Sequence, residues 1–159
     1  MEYDKSEIDN IKDNAIFIFT HKHADHYSKK ILKTLNGEKY GPWNVADLEK
    51  LNGNDNFSIQ PFKTKNKFSL SHYSYLITWH DKKIYLSGDT ESAETIASVK
   101  GIDWAFIPAW IFLDARENNI EIDTKMFAMY HIGPKDNISI EHPQYVLLDK
   151  GGQIINISY

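Results

Sequence analysis

Three histidines and one aspartate stand within six positions of the stretch THKHADHYS, residues 20–28. The stretch begins where an apolar run, NAIFIFT, ends, and β-branched and aromatic residues in that run predict a buried strand over 14–20. A loop at the end of a strand can point such side chains the same way, and neutral imidazole and carboxylate suit zinc, iron or manganese. The cluster therefore predicts a metal site, with a solvated polar loop as the alternative. Its candidate ligands are His21, His23, Asp25 and His26.

Two later apolar runs also end in residues of the kind that bind metals. The run YLSG leads to Asp89, and MFAMY leads to His131 before a Gly-Pro turn. Each has an ordinary interpretation taken alone: Asp89 can cap the helix that follows, and His131 can be structural. Three strand ends that carry such residues favour one shared site.

Strands alternating with short helices are predicted along the chain, which indicates an α/β fold in one domain over 1–159. The pattern predicts helices at 28–37, 45–53 and 91–100, with Asn44 as a cap of the second. Apolar runs predict further strands, and a DKK turn makes a hairpin of two of them. These strands lie at 57–64, 72–79, 84–88, 104–110, 125–131, 144–148 and 153–158, and 113–123 is predicted to be a surface loop.

Charge and composition argue against several classes of binding partner. The formal net charge is -4 and no long block of one sign occurs, which argues against nucleic acid or an anionic membrane as the main partner. No apolar run reaches membrane-spanning length. The chain has no cysteine, so disulfides and thiolate ligands are excluded. A cytoplasmic location fits this composition.

The motifs together resemble those of a known family. HKHADH (21–26) matches the H-x-H-x-D-H signature of the metallo-β-lactamase fold superfamily, GDT (88–90) its bridging aspartate, and YHIGP (130–134) its last histidine. The stretches SYLITWHDKKIYLSGDTE and IDWAFIPAW resemble the branch of metal-dependent hydrolases akin to the ascorbate-phosphate lactonases. The resemblance covers roughly residues 14 to 158. It implies an αββα sandwich with the metal site at one edge, between two β-sheets.

The resemblance also implies two metals, with zinc expected and iron or manganese as alternatives. A hydroxide shared by the two cations would be the nucleophile, oriented by Asp25 or Asp89 as the catalytic carboxylate. The ligands divide into His21 and His23 for the first metal, Asp25, His26 and His131 for the second, and Asp89 as the bridge.

This chain departs from the family pattern in two places. The third histidine of the first metal is expected near residues 63–68, where the chain has Asn66, and the nearest alternative is His72. Spacing favours Asn66 slightly, which would weaken the first site. Only 13 residues precede the signature strand, whereas the family has about three strands there. A first sheet short of strands would expose an edge. Either the chain is a truncated product, or a second copy or another chain covers that edge.

These features leave more than one function open. The ligand set favours a hydrolase acting on a small lactone, ester or phosphoester. Asn66 and the short N-terminus favour a degenerate metal-binding scaffold, and a nuclease would need a basic face that the chain does not show. Trp110 is a candidate for substrate contact. The alternating Lys63, Lys65 and Lys67 are candidates for attracting an anion, although a solvated strand edge is the favoured interpretation.

Overall fold

The structure is a computed structural model, and it describes residues 9–11, 13, 15–23, 27–53, 56–67, 69–133, 142–150 and 153–157. Six strands form one sheet in the order β3-β4-β5-β6-β7-β8, and two form a small parallel sheet, β1-β2. The strands are β1 Ile16–Ile18, β2 Glu38–Tyr40, β3 Phe57–Asn66, β4 Ser69–Trp79, β5 Lys82–Leu86, β6 Ile102–Pro108, β7 Thr124–Tyr130 and β8 Tyr145–Leu147. The helices are α1 Lys29–Leu32, α2 Glu94–Ala97 and α3 Ala109–Glu117, with a 3-10 helix at Val45–Gly53.

The six-stranded sheet has two antiparallel and three parallel strand pairings. Strands β3, β4 and β5 pair antiparallel, whereas β5, β6, β7 and β8 pair parallel. The β4–β5 turn places His80 and Asp81 at φ 46° and 63°. Two successive positive φ values are typical of the tight turn that matches the twist of a hairpin, so the predicted hairpin is confirmed.

Two apolar clusters stabilise this arrangement. The larger one joins α2 and α3 to the parallel strands and is centred on Ile107, Ile111 and Met129, all fully buried. The smaller one packs the 3-10 helix against β3 and β4 through Leu48, with Ile59 beside it. The strands are therefore anchored in a packed core, which fixes the positions at which the loops at their ends begin.

The structure corrects the predicted loop over 113–123. Its first part lies in α3, because Pro108 ends β6 and the chain turns into a helix whose buried residues Ile111, Phe112 and Ala115 share one face. The predicted strand over 104–110 consequently ends at Pro108.

Other predicted boundaries also differ. The described residues 153–157 contain no strand, and Ile154 is 81% exposed. Strand β1 is only three residues long, and Ile16 is 48% exposed, so the prediction of a fully buried strand was wrong. The predicted helices 28–37 and 91–100 shorten to α1 and α2, whereas the predicted helix 45–53 keeps its bounds but is a 3-10 helix. The Asn44 side chain accepts a hydrogen bond from the Gly41 amide instead of capping that helix.

The fold is thus mixed α/β with a mostly β core, as predicted. The αββα sandwich, the single-domain organisation and the shortened first sheet stay predictions. Within the described ranges, no helix is long and apolar enough to cross a membrane.

Candidate metal centre

The predicted strand ends meet at one edge of the fold. Asp89 follows β5 after Gly88, and His131 follows β7 directly. Because β5, β6 and β7 are parallel, their carboxyl ends lie at the same edge of the sheet. The loop after β1 brings His21 to the same place, where its ring faces Asp89.

The Asp89 carboxylate lies between two histidines. Its Oδ2 is 3.9 Å from His21 Nε2, and its Oδ1 is 3.4 Å from His131 Nε2. Two ligands of one tetrahedral zinc stand about 3.3–3.6 Å apart when each bond is about 2.0–2.2 Å. The His131 separation falls in that range and the His21 separation lies slightly above it. Each oxygen of one carboxylate therefore faces a different imidazole.

Two buried imidazoles lie side by side. The ring centroids of His21 and His72 are 4.9 Å apart, and both residues are almost fully buried. The hydroxyl of Thr20 is 2.9 Å from His21 Nδ1, and that of Thr64 is 2.5 Å from His72 Nδ1. A partner on Nδ1 sets the orientation of an imidazole and directs Nε2 toward the other side of the ring, which is how metal-binding histidines are commonly held.

His23 completes a group of three imidazoles. Its ring centroid is 4.4 Å from that of His21, and the two ring planes are nearly perpendicular at 89°. His23 is only partly buried, in contrast to His21 and His72. This side of the group therefore opens toward solvent.

His72, and not Asn66, lies beside His21. Thr64 and His72 are paired across β3 and β4, which places His72 at the level of the other histidines. The Asn66 side chain instead donates a 2.6 Å hydrogen bond from Nδ2 to the backbone oxygen of Asp89. Asn66 thus holds the segment that carries the central carboxylate.

Gly88 occupies a position that only glycine suits. Its φ is 58°, and a Cβ there would lie 2.8 Å from His72 Nε2 and 2.7 Å from Thr20 Cβ. Its carbonyl accepts hydrogen bonds from the Ser87 and Tyr130 hydroxyls at 2.7 and 2.8 Å. Burial raises the pKa of Tyr130, so its hydroxyl stays protonated and donates.

Trp110 contacts a candidate ligand. Its ring stacks on His131 with centroids 5.5 Å apart, and its Nε1 donates a 2.9 Å hydrogen bond to the Thr90 carbonyl. The residue lies on α3, not on a strand as predicted. Its predicted contact with substrate stays a prediction, while the structure gives it a position against His131.

The predicted Asp25 and His26 lie outside the described residues, since 24–26 are not among them. In the part of the chain that is described, no group of three or more His, Cys, Asp or Glu side chains is arranged to hold a metal ion. The described donors nevertheless suit a borderline metal chemically, because four imidazoles are grouped around one carboxylate. His21 and His131 face Asp89, and His23 and His72 lie beside His21.

Four supporting residues were missed by the sequence analysis: Thr20, Thr64, Ser87 and Tyr130. Thr20 and Tyr130 directly precede His21 and His131, and Ser87 precedes the Gly88-Asp89 pair. This adjacency to the candidate ligands could have marked these three residues as supporting residues. Thr64 acts across a hairpin, and sequence alone gives no signal for it.

Comparison with known proteins supports the fold. No family model matches the chain, and no curated protein matches it. A crystal structure called "Putative metal-dependent hydrolase" from Parabacteroides distasonis ATCC 8503 is similar with TM-score 0.56 and 21% identity, over 75% of this chain and 66% of that one. Igni18, a metallo hydrolase from the archaeon Ignicoccus hospitalis, is similar with TM-score 0.50 and 13% identity, over 74% and 64%. The chain thus spans just under two thirds of both, and the likeness is one of fold.

Proposed function

We propose that this protein is a metal-dependent hydrolase of a small ester, lactone or phosphoester. The observation that carries the proposal is the Asp89 carboxylate, whose two oxygens face His21 and His131 at distances close to ligand spacing. The names of the two similar structures support the same class. Zinc is the proposed metal, because imidazole and carboxylate are its usual ligands in catalytic sites.

The proposed ligands divide into two groups that share Asp89. His21, His23 and His72 would hold one metal, and His72 takes the place first considered for Asn66. His131 would hold the other together with Asp25 and His26. The two metals would lower the pKa of a water molecule and polarise the bond to be broken.

The surrounding residues keep this donor set in place. The Thr20 and Thr64 hydroxyls orient the rings of His21 and His72 through Nδ1. Asn66 and Tyr130 hold the backbone at Asp89 and Gly88 respectively. Asp89, and Asp25 as the second catalytic carboxylate, would accept hydrogen bonds from the attacking water and orient it.

The test combines metal content with a substrate panel. Elemental analysis after dialysis should find zinc in the wild type, and nitrophenyl esters, lactones and phosphodiesters should reveal turnover. Asp89→Asn should lower both zinc content and turnover, because it removes the shared negative charge. Asp47→Asn is the matched control, since that carboxylate pairs with Lys50 at the 3-10 helix.

The outcomes separate the candidate functions. Zinc with turnover that is lost in Asp89→Asn supports the hydrolase. Zinc without turnover on any substrate favours the metal-binding scaffold. Equal zinc content and equal turnover in the Asp89→Asn and Asp47→Asn variants would refute the assigned site.

A further inference from the structure

We infer that a pocket beside His23 binds the substrate through an anionic group and a flat apolar group. The inference rests on the proposed function for the reaction, but the binding it describes can be measured without turnover. The pocket has a volume of about 340 Å³ and is open to solvent. Its lining residues are Lys22, His23, Pro42, Trp43, Ser69, Leu70 and Ser71.

The pocket adjoins the candidate metal centre through His23. His23 lines it, and the His23 ring is 4.4 Å from the His21 ring. The volume is within the range of small-molecule sites, about 300–1,000 Å³. A ligand in this pocket would therefore have one end beside His23 and close to the other histidines of the candidate metal centre.

One wall of the pocket is apolar and exposed. Leu70, at the start of β4, is fully exposed, and Trp43 is 40% exposed. The Trp43 ring is held by contacts with Phe19 and Tyr27, at centroid distances of 5.7 and 5.5 Å. Its orientation is thus set before any ligand arrives, and covering these two side chains would remove apolar surface from water.

A positive charge lies against the same wall. Lys22 Nζ lies 4.9 Å from the centre of the Trp43 ring. Among the described lining residues none is acidic, so Lys22 gives the pocket its charge. The hydroxyl of Ser69 donates to the Ser71 carbonyl, which braces the opposite rim. A cation beside an aromatic face fits a ligand that joins a carboxylate or phosphate to a flat ring.

The occupant is therefore an aromatic or cyclic acid derivative in which the ring lies against Trp43 and Leu70 and the anion lies near Lys22. Carboxylate and phosphate are both anionic, so either group can be the anion that lies near Lys22. A neutral apolar ester would use the same wall without needing Lys22.

The experiment measures binding of benzoate, phenyl phosphate and neutral benzyl alcohol by saturation-transfer NMR titration, with zinc-loaded and chelator-treated protein. Lys22→Gln should raise the dissociation constants of both anions about fivefold and change that of benzyl alcohol less than twofold. Leu70→Ser should weaken all three ligands. Since Leu70 is fully exposed, this variant keeps the fold. Lys50→Gln and Ile154→Ser are the matched controls on other surfaces.

Zinc content measured on the same samples separates this inference from the proposed function. Lys22-dependent binding of the anions supports the pocket even where zinc is absent and the hydrolase proposal fails. Zinc binding and turnover with unchanged affinities in Lys22→Gln and Leu70→Ser would overturn the pocket and leave the hydrolase standing. A loss confined to the zinc-loaded protein would also overturn it, because the anions would then be binding the metal. A loss that Lys50→Gln shares would overturn it as well, because it would reflect the net charge of the protein and not the pocket.

Discussion

Replacing Gly88 with alanine should perturb both stability and the metal centre. The residue has φ 58°, and the new methyl would stand 2.7 Å from Thr20 Cβ and 2.8 Å from His72 Nε2. The left-handed backbone costs about 1–2 kcal/mol for alanine. Overpacking against a buried ring adds about 1–3 kcal/mol. Gly88→Ala should therefore lower the free energy of unfolding by about 2–5 kcal/mol.

Two other glycines separate these contributions. Gly101 has φ 68°, but the nearest atom to an added Cβ is Lys83 Nζ at 3.7 Å, so Gly101→Ala should show only the backbone cost of about 1–2 kcal/mol. Gly53 has no atom within 4 Å and no positive φ, and Gly53→Ala should be neutral or slightly stabilising.

The assay is urea unfolding of the three variants and the wild type, followed by circular dichroism. The difference between Gly88→Ala and Gly101→Ala reports the crowding of Thr20 and His72. If Gly88→Ala loses no more stability than Gly101→Ala, then His72 does not lie against Gly88, and the placement of the third donor is wrong.

The remaining predictions concern zinc affinity, the pH dependence of stability and the oligomeric state. Thr64→Val should raise the dissociation constant for zinc about 10-fold or more, because His72 loses the hydroxyl at Nδ1, and Thr64→Ser should retain the wild-type value in a competition titration. Burial raises the pKa of Tyr85 to about 12, so the folded state holds its proton more tightly than the unfolded state. The contribution of Tyr85 to stability is then fully present below pH 10, and about 2–3 kcal/mol of it is lost up to pH 12. Urea titrations of Tyr85→Phe should show a fall that is smaller than that of the wild type by this amount. If a second copy covers the exposed surface around Ile16, light scattering should give a dimer mass that Ile16→Lys reduces, whereas a monomer at all concentrations would contradict this.

The position of the candidate centre could be predicted from the sequence because it follows from strand ends. Asp89 and His131 each follow an apolar run, and parallel strands bring their carboxyl ends to one edge. Their meeting with His21 needed no knowledge of side-chain packing.

Strand ends alone did not show which side chain, Asn66 or His72, lies beside His21. Spacing placed Asn66 near the expected position, but the donor that lies beside His21 depends on the register of the β3–β4 hairpin. Both strands are longer than predicted, and their pairing sets Thr64 opposite His72. A register that shifts by one residue would turn His72 to the other face, and no local pattern in the sequence excludes that shift.

Helix α3 and the segment 153–157 show a second limit of prediction from sequence patterns, which concerns where strands end and which runs form strands. The run WAFIPAW reads as one strand, yet Pro108 divides it into the end of β6 and the start of a helix. The alternating residues of 153–158 have the pattern of a strand, but no described strand pairs with 153–157. Pattern alone cannot show where a strand lacks a neighbour.

The most direct test of the central claim is a zinc titration against a chromophoric competitor for the wild type, His72→Ala, Asn66→Ala and Asp89→Ala. We expect tight zinc in the wild type, loss of one zinc in His72→Ala, and the largest loss in Asp89→Ala, because both proposed ligand groups share that carboxylate. Asn66→Ala should weaken binding less, since Asn66 only holds the Asp89 backbone. Equal zinc content in all four proteins, or none in the wild type, would contradict the metal centre.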